Sequence, residues 1–169
     1  MGGEIFKVGF GYDVHRLVEG ETLILGGVTV PYERGLLGYS DGDVLAHAII
    51  DAILGALGKG DIGRYFPDSD PAYRGADSLM LLKRIVNLAR DEGFTVNNLD
   101  ATVVAEKPKL MQHVDEIREK LSSALGVAVH LINVKATTTE TLGFCGREEG
   151  IAAYAVVSLV PAAQEEARA

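Results

Sequence analysis

The segment IFKVGFGYDVH, residues 5–15, decides how this fold begins, because it joins a strand pattern to two polar side chains. Over residues 5–12 the side chains alternate with a period of two, which predicts a β-strand. Asp13 and His15 follow two positions apart, so an extended backbone places both side chains on the same face. Taken alone, such a pair is common, and its ordinary interpretation is a simple hydrogen bond.

The rest of the chain predicts a mixture of helices and strands. Short apolar runs on both sides of Gly26-Gly27 predict a hairpin, and a helix is predicted from Asp41 or Asp43 to about Leu57. The later predictions are helices from Asp77 or Ser78 to near Gly93 and from Pro108 to Gly126, strands over 99–105, 131–135 and 151–160, and loops over 61–74 and 137–150. The elements do not alternate strictly, which favours an α+β class with one mixed sheet packed against helices on one face.

The length of 169 residues suits one domain, 1–169, with a frayed C-terminal tail over about 161–169. Residues 151–160 are almost all apolar, which predicts a strand that is buried on both faces. In so small a chain, such a strand hints at packing between subunits.

The charge and composition exclude several classes of partner. The formal net charge is −8, which argues against nucleic acid and anionic membranes, since phosphate backbones select basic surfaces. A small phosphorylated substrate remains compatible, because a few local groups and metal ions suffice to bind it. The sequence shows no signal peptide, no apolar run long enough to span a membrane and a single cysteine, Cys145. We therefore expect a cytoplasmic protein.

His47 provides a third candidate ligand. It lies within an apolar stretch of the first predicted helix, and one interpretation is a core histidine bonded to Asp43 or Asp51, each one helical turn away. The other is that His47 joins Asp13 and His15. An O,N,N set of three ligands suits zinc and leaves a fourth tetrahedral position open, as in catalytic sites.

A second polar cluster, Lys135-Ala-Thr-Thr-Thr-Glu140, follows a predicted strand. Its hydroxyls and amides are able to donate to phosphate oxygens, and the Glu140 carboxylate suits a hard cation such as Mg²⁺. The alternative is a threonine-rich strand end with a solvated glutamate.

Several motifs in one order resemble the 2-C-methyl-D-erythritol 2,4-cyclodiphosphate synthase family of the non-mevalonate isoprenoid pathway. The resemblance extends over roughly residues 5–160, and the joint occurrence of the motifs is far more specific than any one of them. The matching segments are Gly11–His15, Leu36–Asp43, Gly60–Gly63 with Phe66–Asp68, Lys107–Lys109, and Lys135–Glu140 with Leu142–Phe144.

The resemblance implies an α+β homotrimer with three active sites at the subunit interfaces. The substrate would be 4-diphosphocytidyl-2-C-methyl-D-erythritol 2-phosphate. Its 2-phosphate attacks the β-phosphorus, CMP leaves, and a cyclic diphosphate forms. The enzyme would be a phosphorus–oxygen lyase.

The resemblance also implies the metal ligands. One zinc ion per protomer would be bound by Asp13, His15 and His47. Glu140 would hold a second divalent cation, Mg²⁺ or Mn²⁺, among the substrate phosphates, and Thr138 would stabilise the transition state.

Residues in several segments are implied to contact the substrate. Ser40 would contact a phosphate from a mobile loop, and Phe144 and Arg147 would line a cavity on the trimer axis, where family members can hold an isoprenoid diphosphate. The remaining contacts are Val14 beside the metal ligands; Asp61, Ile62, Gly63, Phe66 and Asp68 around the methylerythritol unit; Ala105, Glu106, Lys107, Pro108, Lys109, Leu110 and Met111 around the cytidine; and Thr137, Thr138, Thr139 and Glu140 at the nucleotide phosphates.

One position departs from the family pattern. Tyr39 precedes Ser40 where the family usually has histidine. We include Tyr39 among the candidate catalytic and substrate-binding residues, as a neutral hydrogen-bond donor.

Two other functions remain open at this point. The first is a metal-dependent phosphodiesterase or phosphatase that delivers water to the same substrate class. The second is a non-catalytic trimeric scaffold that binds a ligand on its axis. The scaffold would have no need of Asp13, His15, His47 and Glu140.

Overall fold

A five-stranded sheet forms one layer of the computed structural model, which describes residues 6–162. Its strand order is β4-β1-β7-β5-β6, and β2 and β3 form a separate hairpin. Only the β5–β6 pair is parallel, so the large sheet is mixed. The strands are β1 (Lys7–Glu19), β2 (Ile24–Leu25), β3 (Val28–Thr29), β4 (Arg34–Leu37), β5 (Phe94–Val104), β6 (Ile132–Thr137) and β7 (Gly150–Pro161).

Three long helices form the second layer, with α1 packed on β1 and β7, α3 on β5, and α4 on β6. These contacts agree with the predicted α+β class and with helices on one face of the sheet. Within residues 6–162, no helix has the length and apolar character that crossing a membrane requires. The helices are α1 (Val44–Leu57), α2 (Ile62–Tyr65), α3 (Ser78–Asp91), α4 (Val114–Leu125) and α5 (Gly143–Gly146).

Two glycines in β1 allow α1 to lie directly on the sheet. A Cβ atom on Gly9 would lie 1.7 Å from the carbonyl oxygen of Ala52, and one on Gly11 would lie 1.8 Å from that of Ala48. Any side chain at these positions would push the helix away. The close approach brings the same face of β1, further along at Asp13 and His15, next to the first turns of α1.

Asp43 fixes the start of α1 and connects it to the hairpin. Its buried carboxylate accepts hydrogen bonds from the N–H of Ala46 at 3.0 Å, of Gly26 at 2.9 Å and of Gly27 at 2.7 Å. The first bond is the helix N-cap, so of the two predicted starts Asp43 is the correct one. The helix ends at Gly58, which has φ of 70° as a C-cap in the left-handed region.

Some predicted boundaries are wrong. β1 continues through Asp13 and His15 to Glu19 because it pairs with β7 and then with β4, while Ile5 lies outside the described residues. Pro108 does not begin a helix: α4 starts at Val114 after a 3₁₀ turn, and the proline lies in a loop, where its fixed φ is equally suitable. The predicted loops 61–74 and 137–150 contain the short helices α2 and α5.

The prediction that the last strand is buried on both faces is wrong for the single chain. Tyr154 and Val156 are 41% and 42% exposed, because the helices cover only the opposite face. Pro161 belongs to β7 and the N–H of Ala162 bonds to Gly93, so the predicted frayed tail does not start at 161; residues 163–169 lie outside the described part. The exposed Tyr154 and Val156 of β7 lie beside exposed apolar side chains of β1. We call this surface the outer apolar face; its residues are Val8, Phe10, Tyr12, Val14, Tyr154 and Val156.

Candidate metal centre and substrate clefts

Three ligand atoms from β1 and α1 meet at one point. The Oδ2 atom of Asp13 lies 2.9 Å from Nε2 of His15 and 3.0 Å from Nδ1 of His47. The two imidazole nitrogens are 3.1 Å apart. The structure therefore brings together the three residues that the sequence proposed as one set.

The dimensions of this triangle suit a small metal ion. Zinc binds imidazole nitrogen and carboxylate oxygen at about 2.0–2.2 Å, so tetrahedral ligand atoms lie about 3.3 Å apart. The observed edges of 2.9, 3.0 and 3.1 Å are close to that value. Two nitrogens and one oxygen are also a donor set that zinc accepts. The residues thus fit a zinc ion with one open coordination position.

The charge of Asp13 favours a cation at this point. Burial alone would raise the pKa of Asp13, but hydrogen bonds with His15 and His47 outweigh it and lower the pKa to about 2. Burial alone would lower the pKa of His15, yet its bond with Asp13 and the charge of that carboxylate raise it. A carboxylate that is anionic at neutral pH thus faces two ring nitrogens, and a proton or a metal ion is stabilised between them.

The outer nitrogen of each imidazole has its own partner. Nδ1 of His15 lies 2.6 Å from the carbonyl oxygen of Leu37, to which its N–H donates. Nε2 of His47 lies 2.9 Å from the hydroxyls of both Ser40 and Ser78. Such partners hold ligand rings in one orientation.

The partners suggested by helical spacing for His47 are wrong. The carboxylate of Asp43 caps α1, and that of Asp51 accepts the N–H of Ile62 at 2.7 Å. Both carboxylates are engaged with backbone groups, which leaves the serines as the outer partners of His47. The hydrogen bond that Asp51 accepts from Ile62 fixes the start of α2 beside the candidate metal centre.

A cleft of about 200 Å³ opens at the metal centre. It contains the three ligands and most of the residues that the sequence assigned to the methylerythritol unit and the mobile loop. Two predicted residues lie elsewhere: Asp61 caps α2 by accepting the N–H of Arg64, and the side chain of Val14 lies on the outer apolar face. The lining residues are Asp13, His15, Tyr39, Ser40, His47, Ile62, Gly63, Phe66, Asp68, Tyr73 and Leu81, of which Tyr73 and Leu81 carried no sequence signal.

Tyr39 lines this cleft and is held in place by two contacts. Its hydroxyl donates to the carbonyl oxygen of Asp70 at 3.2 Å. The guanidinium of Arg74 lies 5.6 Å from the centre of its ring, within the range of a cation–π contact. Tyr39 therefore connects its own loop to residues 70–74.

A second cleft, of about 690 Å³, lies at the C-terminal ends of the parallel strands β5 and β6. It contains most of the predicted cytidine segment, together with Val114 and Asp115 of α4, which sequence reasoning missed. Glu106, Lys107, Thr139 and Glu140 are not among its lining residues. Those residues are Ala105, Pro108, Lys109, Leu110, Met111, Val114, Asp115, Val134, Lys135, Ala136, Thr137 and Thr138.

The four predicted residues outside this cleft make local contacts. The Thr138 hydroxyl donates to Oε1 of Glu140 at 3.0 Å, and Glu140 has φ of 52°. The ammonium of Lys107 lies 3.0 Å from a carboxylate oxygen of Glu148. The remaining two bond to the backbone: the Thr139 hydroxyl donates to the Leu142 carbonyl, and a Glu106 carboxylate oxygen accepts the N–H of Thr141.

The two clefts are separated across the sheet. Asp13 pairs with Ala153, Ala153 with Val103, and Val103 with Ala136. Three strand spacings of about 4.8 Å place Asp13 and Ala136 roughly 14 Å apart at the same level of the sheet. In the described part of the chain the clefts have no lining residue in common.

Phe144 and Arg147 belong to a third region, at α5: Phe144 lies within this short helix and Arg147 is its C-cap. Phe144 is partly exposed and packs close to Gly150. Arg147 donates two hydrogen bonds to the carboxylate of Glu149, at 2.9 and 3.1 Å. In the described structure, neither residue lines one of the two clefts.

This fold and site define a class: an α+β protein with a two-histidine, one-carboxylate candidate metal centre and a separate cleft at the ends of two parallel strands. The YgbB family model matches residues 6–160. The chain belongs to this family.

Named relatives agree with that assignment. A 2-C-methyl-D-erythritol 2,4-cyclodiphosphate synthase from Geotalea daltonii is 63% identical over 153 residues, which are 90% of either chain. A solved structure of IspF from Plasmodium falciparum in complex with CDP has a TM-score of 0.81 at 34% identity, over 95% of this chain and 99% of that one. The bifunctional IspDF from Campylobacter jejuni has a TM-score of 0.91 at 43% identity; 95% of this chain matches only 43% of that longer one.

Proposed function

We propose that this chain converts 4-diphosphocytidyl-2-C-methyl-D-erythritol 2-phosphate to 2-C-methyl-D-erythritol 2,4-cyclodiphosphate and CMP. The observation that carries the proposal is the convergence of Asp13, His15 and His47 in the lining of a cleft. A relative that is 63% identical bears the name of this synthase. As an enzyme of isoprenoid precursor synthesis, it would be a phosphorus–oxygen lyase.

The reaction requires positioning and charge stabilisation more than covalent chemistry. The 2-phosphate is already ionised at neutral pH, so its oxygen attacks the β-phosphorus without a general base, and the bond to CMP breaks. Asp13, His15 and His47 would hold a zinc ion, which when bound supplies a Lewis acid for a phosphate oxygen. The hydroxyl of Ser40, 2.9 Å from Nε2 of His47 in the same cleft, would donate to a phosphate oxygen.

The two clefts suit the two ends of this substrate. Ile62 and Phe66 provide apolar contact beside the metal centre, and Asp68 provides an acceptor for a sugar hydroxyl. The larger cleft between Pro108 and β6 is mostly apolar, with Lys109 at its edge, and suits a pyrimidine nucleoside. We assign the cytidine to it, in keeping with the CDP named for the Plasmodium falciparum structure.

Thr138 and Glu140 would act on the diphosphate that joins the two ends. The Thr138 hydroxyl donates to Glu140 in the described structure. A magnesium or manganese ion bound to that carboxylate would release the hydroxyl for a phosphate oxygen. This second cation would also offset the repulsion between the attacking phosphate and the diphosphate.

A homotrimer would complete these sites. Asp13 in the metal cleft and Ala136 in the cytidine cleft lie roughly 14 Å apart across one sheet. The two clefts would form a continuous site where the cytidine cleft of one protomer meets the metal cleft of the next. The outer apolar face supports association, since contiguous exposed apolar side chains mark contact surfaces.

Around the threefold axis, Phe144 and Arg147 would face an isoprenoid diphosphate. Its phosphates would have to compete with the carboxylate of Glu149 for the guanidinium of Arg147. The cytoplasmic location remains a prediction from the sequence.

Phosphorus NMR of the products is the test of this function. The protein with Zn²⁺ and Mg²⁺ should convert the cytidine substrate to equal amounts of CMP and a cyclic diphosphate. In water enriched in oxygen-18 the cyclic product should contain no label, because the nucleophile is the substrate's own phosphate. A linear labelled phosphate would instead establish the phosphodiesterase alternative, and unchanged substrate would favour the binding scaffold.

A further inference from the structure

Ser78 is a buried residue that no sequence motif singled out. It is the first residue of α3 and is 0% exposed. Its hydroxyl oxygen lies 2.9 Å from Nε2 of His47 and 2.5 Å from Oδ1 of Asp41. The backbone N–H of Ser78 donates to the other carboxylate oxygen of Asp41 at 2.9 Å. A chain of contacts thus runs from a carboxylate through a hydroxyl to an imidazole.

The number of protons fixes the direction of these bonds. An ionised carboxylate only accepts, so the single hydroxyl proton of Ser78 is donated to Asp41. The lone pairs of the same oxygen then face His47, which favours the tautomer in which Nε2 carries the proton and donates it to Ser78. A neutral imidazole has one ring proton, so Nδ1 of His47 is left bare, and this is the nitrogen that faces Asp13 and His15.

Ser40 makes a similar contact but lacks the carboxylate behind it. Its hydroxyl oxygen also lies 2.9 Å from Nε2 of His47, and its other side-chain contact in the described structure is Ser78 at 3.4 Å. The proton of Ser40 is therefore free to point either way. Ser40 accepts or donates as the ring requires, and only Ser78 discriminates between the two tautomers.

Asp41 is itself held firmly by the backbone around it. Its N–H donates to the carbonyl oxygen of Ala76, and its Oδ1 atom accepts the N–H of Asp43. Asp41 thus connects the loop before α1 with the start of α3. Its carboxylate has little freedom to release Ser78.

We propose that Ser78, oriented by Asp41, is a positioning residue that holds His47 in the Nε2–H tautomer and so presents Nδ1 as a metal ligand. The inference rests on the proposed metal site, which it deepens. In the opposite tautomer the Nδ1 proton would occupy the place of the metal. Outer partners of ligand histidines typically contribute about 10–100-fold to metal affinity.

The tautomer is measurable without metal or substrate. Nitrogen-15 NMR of the ring nitrogens of the metal-free protein at about pH 9, well above the ordinary imidazole pKa, should show His47 protonated on Nε2. Ser78→Ala should convert this signal to a mixture of tautomers and weaken Zn²⁺ binding by about tenfold or more, measured by competition with a chromophoric chelator. Ser40→Ala should retain the tautomer and lose less Zn²⁺ affinity than Ser78→Ala, because Ser40 contacts the same Nε2 but has no carboxylate behind it.

A second variant tests the direction of the hydrogen bonds from His47 through Ser78 to Asp41. It also keeps the proposal testable if Ser78→Ala does not fold. Asp41→Asn keeps the size and one acceptor oxygen, while its amide is able to donate to Ser78, whose proton then turns to His47. We expect a shift towards the Nδ1–H tautomer, with cooperative thermal unfolding retained. Unchanged tautomer and Zn²⁺ affinity in Ser78→Ala, or equal losses in Ser40→Ala, would overturn the proposal. Because neither readout involves the cytidine substrate, such a result is distinct from a failure of the proposed reaction.

Discussion

The Nε2 atom of His15 lies 3.1 Å from the Nδ1 atom of His47, and both face the same oxygen of Asp13. Three electron-pair donors this close are stabilised when a cation lies between them. β1 and α1 hold them there because Gly9 and Gly11 let the helix rest on the strand. The packing of the core thus positions the three proposed metal ligands.

The first prediction is about one zinc ion per protomer. His47→Ala should lower the zinc content, measured by plasma mass spectrometry after gel filtration, to near background and should abolish cyclisation. The control is His130→Ala, an exposed histidine in a 3₁₀ turn, which should retain full zinc. Full occupancy in His47→Ala would refute the ligand assignment.

The second prediction concerns shared active sites. His47→Ala disables the metal cleft and Thr138→Ala the diphosphate end of the cytidine cleft. After subunit exchange of equal amounts, a site is intact when a Thr138→Ala chain supplies its metal cleft and a His47→Ala chain supplies its cytidine cleft. Random mixing gives this pairing at about a quarter of the sites, so about a quarter of parental activity should return. Mixing His47→Ala with Asp13→Ala, which damage the same cleft, should restore none. A trimer mass by light scattering is expected, and a monomer at micromolar concentration would contradict the shared site.

The third prediction separates the two metal ions. Glu140→Gln keeps the size and the acceptor for the Thr138 hydroxyl but removes the charge that a hard cation requires. The Mg²⁺ concentration for half-maximal turnover should rise by about tenfold or more, while the zinc content stays the same. Glu119→Gln, on the exposed side of α4, is the control. Superimposable Mg²⁺ titrations for parent and Glu140→Gln would remove Glu140 from the site.

Local signals in the sequence were sufficient for most of the fold. The glycine pair at 26–27 and the left-handed Gly58 and Gly126 ended elements where predicted. The helix start predicted at Pro108 was wrong because a proline suits a loop as well as a first helical turn. The exposed face of β7 was missed because an apolar strand looks the same whether helices or a second copy cover it.

The sequence predicted the residues of the candidate site only where the residue type is itself a common metal ligand. Asp13, His15 and His47 stood out by chemistry, and the structure brought them together. Ser78 and Asp41 did not, because a hydroxyl that contacts a histidine 31 positions away depends on how α3 packs on α1. Helical spacing suggested Asp43 and Asp51 as hydrogen-bond partners of His47, but both carboxylates accept hydrogen bonds from backbone N–H groups instead.

The fourth prediction uses the environment of Asp51. Burial raises the pKa of Asp51, although its bond to the N–H of Ile62 opposes this. Since the folded state disfavours the ionised form, the protein loses stability as pH rises from the unfolded pKa of about 3.9 through the folded pKa. Asp51→Asn, which retains an acceptor for Ile62, should therefore be more stable than the parent at neutral pH.

The stability gain of Asp51→Asn should shrink as pH falls towards 4. Denaturant unfolding at a series of pH values measures it, with Asp51→Ala as the control that loses the acceptor and should be destabilised throughout. A constant difference between Asp51→Asn and the parent across the series would mean that the charge of Asp51 is not responsible.

The last prediction concerns Tyr39, which occupies the family's usual histidine position. Its hydroxyl donates to the carbonyl oxygen of Asp70, so a substrate phosphate must draw that proton away to be stabilised. A neutral hydrogen bond contributes about 0.5–1.5 kcal/mol net, which corresponds to a loss of up to about tenfold in kcat for Tyr39→Phe. An imidazolium would give a charge-assisted bond of roughly twice that strength.

We therefore expect Tyr39→His to keep or raise kcat and to add a limb to the pH profile near the ordinary histidine pKa of about 6.5, with activity falling as the imidazolium loses its proton. Steady-state kinetics from about pH 5.5 to 9 with saturating metal ions would measure both variants. The contrasting model is that Tyr39 only packs its loop against Asp70 and Arg74. In that case Tyr39→Phe would raise KM through a looser loop while kcat and both pH profiles stay at parental values, and Tyr39 would be a loop anchor rather than a catalytic residue.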